Sequence, residues 1–507
     1  MSQVRSIRNV RWWEVLSRLF LVLGFLLRLE QYLFNRSLWF DEAGLARNIL
    51  ARGPLALMRP LDYGQGAPIL FLFLVKGTTS IFGSSEYALR LIPFIMGIIG
   101  LLLFYQTARL YLDRLYVPLA VFIFAFCYEL VYYSAELKQY STDVAVALLL
   151  YYLFLRLLSR SESQKMEPGL LGLAGCAALF LSHPAVFVLA GIACATLVLA
   201  ARRQLRLSLR TLSFCLVSWL VCVAVNYVLF IKPLSASQDL HNYWEEGFLP
   251  VPSNLHSIAV WLHAALSYFR YLGFYSHWPY FIALLAAWAA VTELIKDKPV
   301  TLPLLLLLLF AVVASVLKLY PFSERLILFL APAVILLAAK GVQIICRETN
   351  GAMFATLGIA LIYPQLQSAY GLVLHPIVRE EVRPILGYLD RNREPGDHVY
   401  VYFGASHAVQ YYRRDTTRDA ELFYYGQNSR TDRPHYMQDI AAMRQYPRVW
   451  FLFSHSYRDE EEFIISHITG QLLDKYHQPG ASLYLYRFDR SSVVPAPVAL
   501  APKPSLQ

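Results

Sequence analysis

Leu38-Trp39-Phe40-Asp41-Glu42-Ala43-Gly44 sets two adjacent carboxylates just beyond a first apolar run, residues 16–34. Taken alone, charges beside a membrane helix are solvated anchors as readily as reactive groups. Two further polar stretches, distant in sequence, fall on the same side of the membrane once the intervening spans are counted. They favour the functional reading.

The chain of 507 residues is 57% hydrophobic and only 16% charged, with a mean hydropathy of +0.44. A soluble protein of this length needs more polar surface, so the composition describes a polytopic membrane protein. Crossing the hydrocarbon core takes about 20 apolar residues per helix, and only helices or closed barrels satisfy their backbone there. The net charge of +10 does not point to a nucleic-acid partner, because much of the Lys and Arg sits in short loops where it sets orientation. Arg5, Arg8 and Arg11 precede the first apolar run without a small-residue cleavage site after it. A retained first helix with a cytoplasmic N-terminus is expected. The six cysteines lie in or beside apolar runs without metal-ligand spacing, so no disulfide is expected.

Spans are expected at 16–34, 87–108, 116–133 and 144–158, then as two short helices within 169–201 broken at Ser182-His183-Pro184. Others follow at 212–231, 279–295, 302–317, 326–345 and 352–367, about eleven in all. The basic loops then face inward consistently. Residues 68–82 are interrupted by Lys76-Gly77 and are short for a span; crossing there would also invert the loops that follow. They are expected as an outer interfacial helix, like 45–58, broken at Gly53-Pro54, and 254–271. Arg28 and Glu30 in the first span are expected to face a polar cavity. After Ser368 the pattern changes to helix 380–392, strand 398–403, helix 405–412, strand 448–453, helix 459–476 and strand 482–488. The domains read as an α-helical transmembrane unit at 1–368, a small extracytoplasmic α/β domain at 369–490, and an aperiodic, disordered tail at 491–507.

Three outward stretches carry the candidate chemistry: Asp41 and Glu42; Glu136, Lys138, Tyr140 and Asp143; and Lys318, Tyr320, Glu324 and Arg325. Ionisable groups near membrane depth mark sites or pathways. Carboxylates suit proton abstraction or metal ligation, and Lys and Arg suit phosphate. A network of structural salt bridges between helix ends is the competing reading. All twelve histidines, His183 among them, fall on outward segments, as polar interfacial tips or, alternatively, as metal ligands. The C-terminal domain has no nucleotide fingerprint and reads as a cover for the site or a binder of acceptor.

Five motifs recur in order: Trp39-Phe40-Asp41-Glu42-Ala43; Gly66-Ala67-Pro68-Ile69-Leu70; Ser85-Glu86-Tyr87-Ala88-Leu89-Arg90-Leu91-Ile92-Pro93; Tyr133-Ser134-Ala135-Glu136-Leu137-Lys138-Gln139-Tyr140; and Ser323-Glu324-Arg325. Together they resemble the GT-C superfamily of membrane glycosyltransferases, in the group of protein O-mannosyltransferases and the aminoarabinose transferase of lipid A. The resemblance covers roughly the first 345 residues. It implies inverting transfer of a sugar from a polyprenyl-phosphate donor to a lipid, glycan or protein acceptor, at the outer face of a bacterial inner membrane. By the same resemblance Asp41 is the base, and Glu42 assists it or shares a divalent cation, Mg or Mn. Lys138 and Arg325 bind the donor phosphate, while Glu136, Tyr140, Asp143, His183 and Tyr320 contact substrate. One departure stands out: Glu-Lys-Pro-Pro of the aminoarabinose branch is Gln65-Gly66-Ala67-Pro68 here. Asp62 and Gln65 are the partial substitutes.

Two rivals are carried. A transporter or flippase predicts internal repeats and polar groups at mid-membrane, whereas these charges cluster at the outer edge. A non-catalytic assembly protein of the same fold would survive loss of Asp41. The topology itself is testable: a cysteine at Ser37 or Ser406 should react with a membrane-impermeant thiol reagent in intact cells, and one at Ser161 should not. Labelling of Ser161→Cys would overturn the orientation.

Overall fold

The computed structural model describes residues 11–159, 167–204, 208–235, 243–275, 278–296, 298–349, 351–415, 420–430 and 433–488. The tail from 491, the basic loop at 160–166, Ser161 within it, and His241 and His277 lie outside these. The chain divides into two compact units, Met1–Asn35 with Ile49–Pro376 and Arg36–Asn48 with Ile377–Gln507. The acidic segment, expected in the transmembrane domain from its place in the chain, thus groups with the C-terminal unit.

The first unit is helical, and every segment expected to span forms a helix near its expected bounds. Among the described residues, six are long and apolar enough to cross a membrane: Glu86–Tyr111, Tyr140–Leu158, Arg210–Leu234, Trp278–Ile295, Glu324–Glu348 and Phe354–Leu374. A seventh is the pair Val117–Phe126 and Tyr128–Ala135, bent by 60° at Cys127. Trp12–Phe34 has the length but carries Glu14, Arg18, Arg28 and Glu30. Pro168–Leu181, Ala185–Ala201 and Leu302–Val316 are shorter apolar helices, as is Ile69–Phe82. The Leu255–Tyr271 helix opens with a capping box, Asn254 accepting from the Ser257 amide and Ser257 from that of Asn254. Residues 45–58 break at Gly53-Pro54, as expected: Phe40–Ala51 is α-helical, a 3-10 turn follows at Ala56–Met58, and Lys76 donates to the late carbonyls of Ile49 (2.7 Å) and Leu50 (3.2 Å).

Small residues let the apolar helices approach. A Cβ at Gly341 would lie 2.3 Å from the Leu285 carbonyl oxygen, and one at Gly24 would lie 2.8 Å from Ala125 Cβ. Arg28 does not face a polar cavity: it is 1% exposed, and its Nη1 donates to the carbonyls of Gly24 (2.9 Å) and Ala125 (3.1 Å). The reason lies in the bend. Cys127 is extended (ψ 116), the helix stops at Phe126, and its last carbonyls need donors that hydrocarbon cannot supply. At the opposite end of the bundle Asp113 pairs with Arg347, and Lys340 lies 3.9 Å from the buried Glu293.

The second unit holds a five-stranded sheet in the order β2-β1-β3-β5-β4. Its strands are β1 His398–Val401, β2 Phe423–Tyr425, β3 Arg448–Ser454, β4 Gln471–Gln478 and β5 Ala481–Arg487. β1 runs parallel to β2 and β3, and β5 antiparallel to β3 and β4. The helix expected over 459–476 is confined to Glu460–Ser466, and its second half is the edge strand β4. That strand is half exposed along its length and bulged between Leu472 and Asp474, so it lacks the alternation that marks a strand. β2 and the Pro434–Met443 helix were not anticipated.

Replacing Arg28 by Leu leaves the Ala125 carbonyl unpaired in an apolar interior. We expect a loss of about 1–3 kcal/mol, seen as a lower thermal unfolding midpoint in detergent; an unchanged midpoint would show that the bend is satisfied without Arg28.

Candidate functional site

Within the first unit, one end of the bundle gathers most of the expected residues. The chain leaves the bent span at Ala135, runs irregularly through Glu136 to Gln139, and starts the Tyr140–Leu158 helix. This interruption is buried throughout, with Glu136 at 0% and Lys138 at 6% exposure. Lys138 Nζ donates to Gln65 Oε1 at 2.7 Å. The Asp62 carboxylate pairs with Arg52 at 2.7 Å and its side chain is 55% exposed.

Two residues after Lys138, the Tyr140 ring lies 6.0 Å from the Arg325 guanidinium, which also sits 5.6 Å from the Trp244 ring. Arg325 is buried at the start of the 3-10 segment Glu324–Leu330. The turn before it passes through two left-handed non-glycine residues, Lys318 (φ 56) and Glu324 (φ 39). Between them, Tyr320 donates to the Leu326 carbonyl at 2.8 Å and lies within electrostatic range of Asp143 and Tyr140. Tyr140, Asp143, Tyr320 and Arg325 thus come together, as the sequence led one to expect.

The wall beside them is polar. Gln139, Thr142 and Asp143, at i, i+3 and i+4, share a helix face. Asp143 faces Ser182, in the break between Glu167–Leu181 and Ala185–Ala201 where His183 also lies. Among the described residues, Gln139 Oε1, Thr142 Oγ1, Asp143 Oδ1, Ser182 Oγ and both His183 ring nitrogens are buried without a hydrogen-bond partner. Burying a polar atom unpaired is costly, so such a cluster calls for a bound polar ligand or water. Sequence reasoning singled out Asp143 and His183 but missed Gln139, Thr142, Ser182 and Trp244. Ser182 was legible, since it adjoins the helix-breaking His183-Pro184.

In the second unit, Asp41 and Glu42 fall in the first turn of Phe40–Ala51, where unpaired amides stabilise negative charge. Glu42 is fully buried and Asp41 half-buried. Neighbours in sequence on a helix point in different directions. Among the described residues, no three His, Cys, Asp or Glu side chains group closely enough to hold a metal ion. By themselves these two diverging carboxylates are too few to hold a resident metal ion. Burial pushes the His407 imidazole down to about 4, aided by the Arg47 charge and opposed by Asp41. His407 is accordingly neutral at pH 7, and Arg47 Nη1 lies 2.9 Å from its Nδ1. Ser37, buried here against Glu381, is a poorer labelling position than Ser406.

The sequence model of the family described as dolichyl-phosphate-mannose-protein mannosyltransferase matches residues 66–228. No curated protein sequence matches the chain. Among solved structures, the fold is similar to ArnT from Cupriavidus metallidurans bound to undecaprenyl phosphate, at 12% identity and a TM-score of 0.56. That likeness covers 94% of this chain and 98% of ArnT. It is also similar to the oligosaccharyltransferase AglB from Archaeoglobus fulgidus in complex with an inhibitory peptide and a dolichol-phosphate, at 13% identity and a TM-score of 0.53, over 94% of this chain and 75% of AglB. Residues 66–228 match the mannosyltransferase family's sequence model, and the apolar helices and the shared architecture give the chain the GT-C fold of a membrane protein.

Proposed function

We propose that the chain moves a sugar, with inversion, from a polyprenyl-phosphate donor to a lipid, glycan or protein acceptor at the outer face of a bacterial inner membrane. The observation that carries the reading is the two buried cations, Lys138, two residues before Tyr140, and Arg325, 6.0 Å from the Tyr140 ring, with unsatisfied hydroxyl, amide, imidazole and carboxylate atoms on and beside the same helix start. A phosphate needs the cations, and a sugar needs those polar atoms. The structures it resembles add support, one bound to undecaprenyl phosphate and the other to a dolichol-phosphate.

The proposed step is a single displacement. An acceptor hydroxyl attacks the anomeric carbon from the face opposite the phosphate, and the bond from that carbon to the phosphate oxygen breaks. The bonding pair leaves with polyprenyl phosphate, whose charge Lys138 and Arg325 stabilise by charge-assisted hydrogen bonds. Asp41 takes the proton of the attacking hydroxyl, and Glu42 tunes its neighbour. Glu136, Asp143, His183, Tyr140 and Tyr320 orient sugar or acceptor, with Gln65 holding Lys138. Asp62, exposed and paired with Arg52, would reach only a bulky acceptor. Because phosphate leaves as a stable anion, a base and cations suffice, and no carboxylic acid is required.

Turnover of the polyprenyl-phosphate sugar should fall by about 10²–10⁴-fold in Asp41→Asn, which keeps size and hydrogen bonding but not proton affinity, while donor binding persists. Arg325→Ala should do the reverse and weaken donor binding by about 1.5–3 kcal/mol, with Arg325→Lys recovering part. Near-normal turnover in Asp41→Asn would remove it from the mechanism. Unchanged donor affinity in Arg325→Ala would reduce that residue to a helix anchor.

A further inference from the structure

In an open sheet with parallel strands, ligands bind outside the carboxyl ends of the strands at the point where the strand order reverses. In the C-terminal unit that point lies between β1 and β3, since β1 is flanked by β2 on one side and β3 on the other. The crevice there takes in the unit's own Phe40. Its ring stacks on His455, the first residue after β3, at 4.5 Å and 6°, and packs 4.7 Å from His407 in the helix that follows β1. Gly404 brings the strand ends close enough, because a Cβ there would sit 2.6 Å from the Ser454 carbonyl oxygen. His455 adopts a left-handed φ of 55, a strained conformation for a residue other than glycine and one that collects at functional positions.

Three consecutive residues then close on the same segment. The Arg379 guanidinium lies 4.3 Å from the Trp39 ring. Glu380 accepts from the Phe40 amide at 2.9 Å, from Ser454 Oγ at 3.2 Å, and lies 2.7 Å from His455 Nδ1. Glu381 accepts from the Ser37 amide at 3.0 Å and its hydroxyl at 2.8 Å. The Tyr412 hydroxyl accepts from the Leu38 amide at 2.8 Å. The triplet is itself fixed: the Glu381 amide donates to the Pro479 carbonyl at 2.9 Å. Gly480 admits the approach, since a Cβ there would lie 1.8 Å from the Arg379 carbonyl oxygen. Phe40 opens its helix, so its amide has no intrahelical acceptor. Glu380, 340 positions away, supplies that missing cap.

We propose that the C-terminal α/β unit is a holder for the acidic helix, its switch-point crevice filled by Phe40 rather than a diffusible ligand, and that Glu380 is the positioning residue fixing the turn that bears Asp41 and Glu42. The catalytic consequence rests on the reading of Asp41 as the base, whereas the grip does not. The test uses the full chain in lipid nanodiscs. Hydrogen exchange of the amides of residues 37–43 should quicken at least tenfold in Glu380→Ala while β3 and β5 stay protected. Glu380→Gln, which keeps an oxygen for the Phe40 amide, should restore most of the protection. With the polyprenyl-phosphate sugar pool extracted from cells lacking this chain as probe, kcat should fall at least tenfold in Glu380→Ala at a donor KM within twofold of wild type, and recover in Glu380→Gln. Unchanged exchange at 37–43 overturns the proposal, as does faster exchange with unchanged kcat where Asp41→Asn is inactive. Should Glu380→Ala expose β3, Tyr412→Phe replaces it, with at least threefold faster exchange at 38–40 expected and no change contradicting the grip. Failure of the base reading looks different: Asp41→Asn would turn over normally while exchange in Glu380→Ala still quickens, which leaves the grip supported.

Discussion

A backbone inside hydrocarbon has no water to fall back on, so every interruption of a membrane helix must be satisfied by protein. The first unit interrupts its helices at Cys127, across Glu136 to Gln139, at Ser182 to Pro184 and from Lys318 to Glu324. Arg28 answers the first by donating to the Ala125 carbonyl. The last three carry or adjoin Lys138, Ser182, Tyr320 and Arg325, so the breaks that cost the bundle its regularity are also where its polar side chains gather. Their burial makes the charges of Lys138 and Arg325 strong toward an anion, because low dielectric magnifies each contact.

On the proposed reading, each unit meets one of the two demands of glycosyl transfer from a lipid phosphate. The membrane unit presents cations and hydroxyl-binding atoms on helix ends packed in an apolar core. The C-terminal unit holds the carboxylates on a helix whose first amide is capped by Glu380 and whose first ring is clasped by His407 and His455. His407, kept neutral by burial and Arg47, packs against Phe40 without adding a positive charge beside Asp41.

The helical framework was legible because hydropathy reads span by span, and the break at Ser182-His183-Pro184 carried its own proline signal. The clustering of Tyr140, Asp143, Tyr320 and Arg325 was legible from topology alone, since basic loops fix which ends share a side. What escaped reading was set by distant contacts or weak local pattern. Residues 36–48 sit among transmembrane segments in sequence, yet their partners are Arg379, Glu380, Glu381 and Tyr412, and no local pattern announces that pairing. β4 hides behind its bulge, β2 is three residues long, and Trp244 is one aromatic among many in its loop. Asp62 was expected as a partial substitute in the departing motif, and its carboxylate pairs with Arg52.

The central claim, that this chain consumes a polyprenyl-phosphate sugar, is tested most directly by mass spectrometry of lipid-linked sugars and surface glycans in a strain lacking it. The account predicts accumulation of one polyprenyl-phosphate sugar together with loss of that same sugar from one surface lipid, glycan or protein. Lipid-linked and surface pools both identical to those of the parent strain would contradict it.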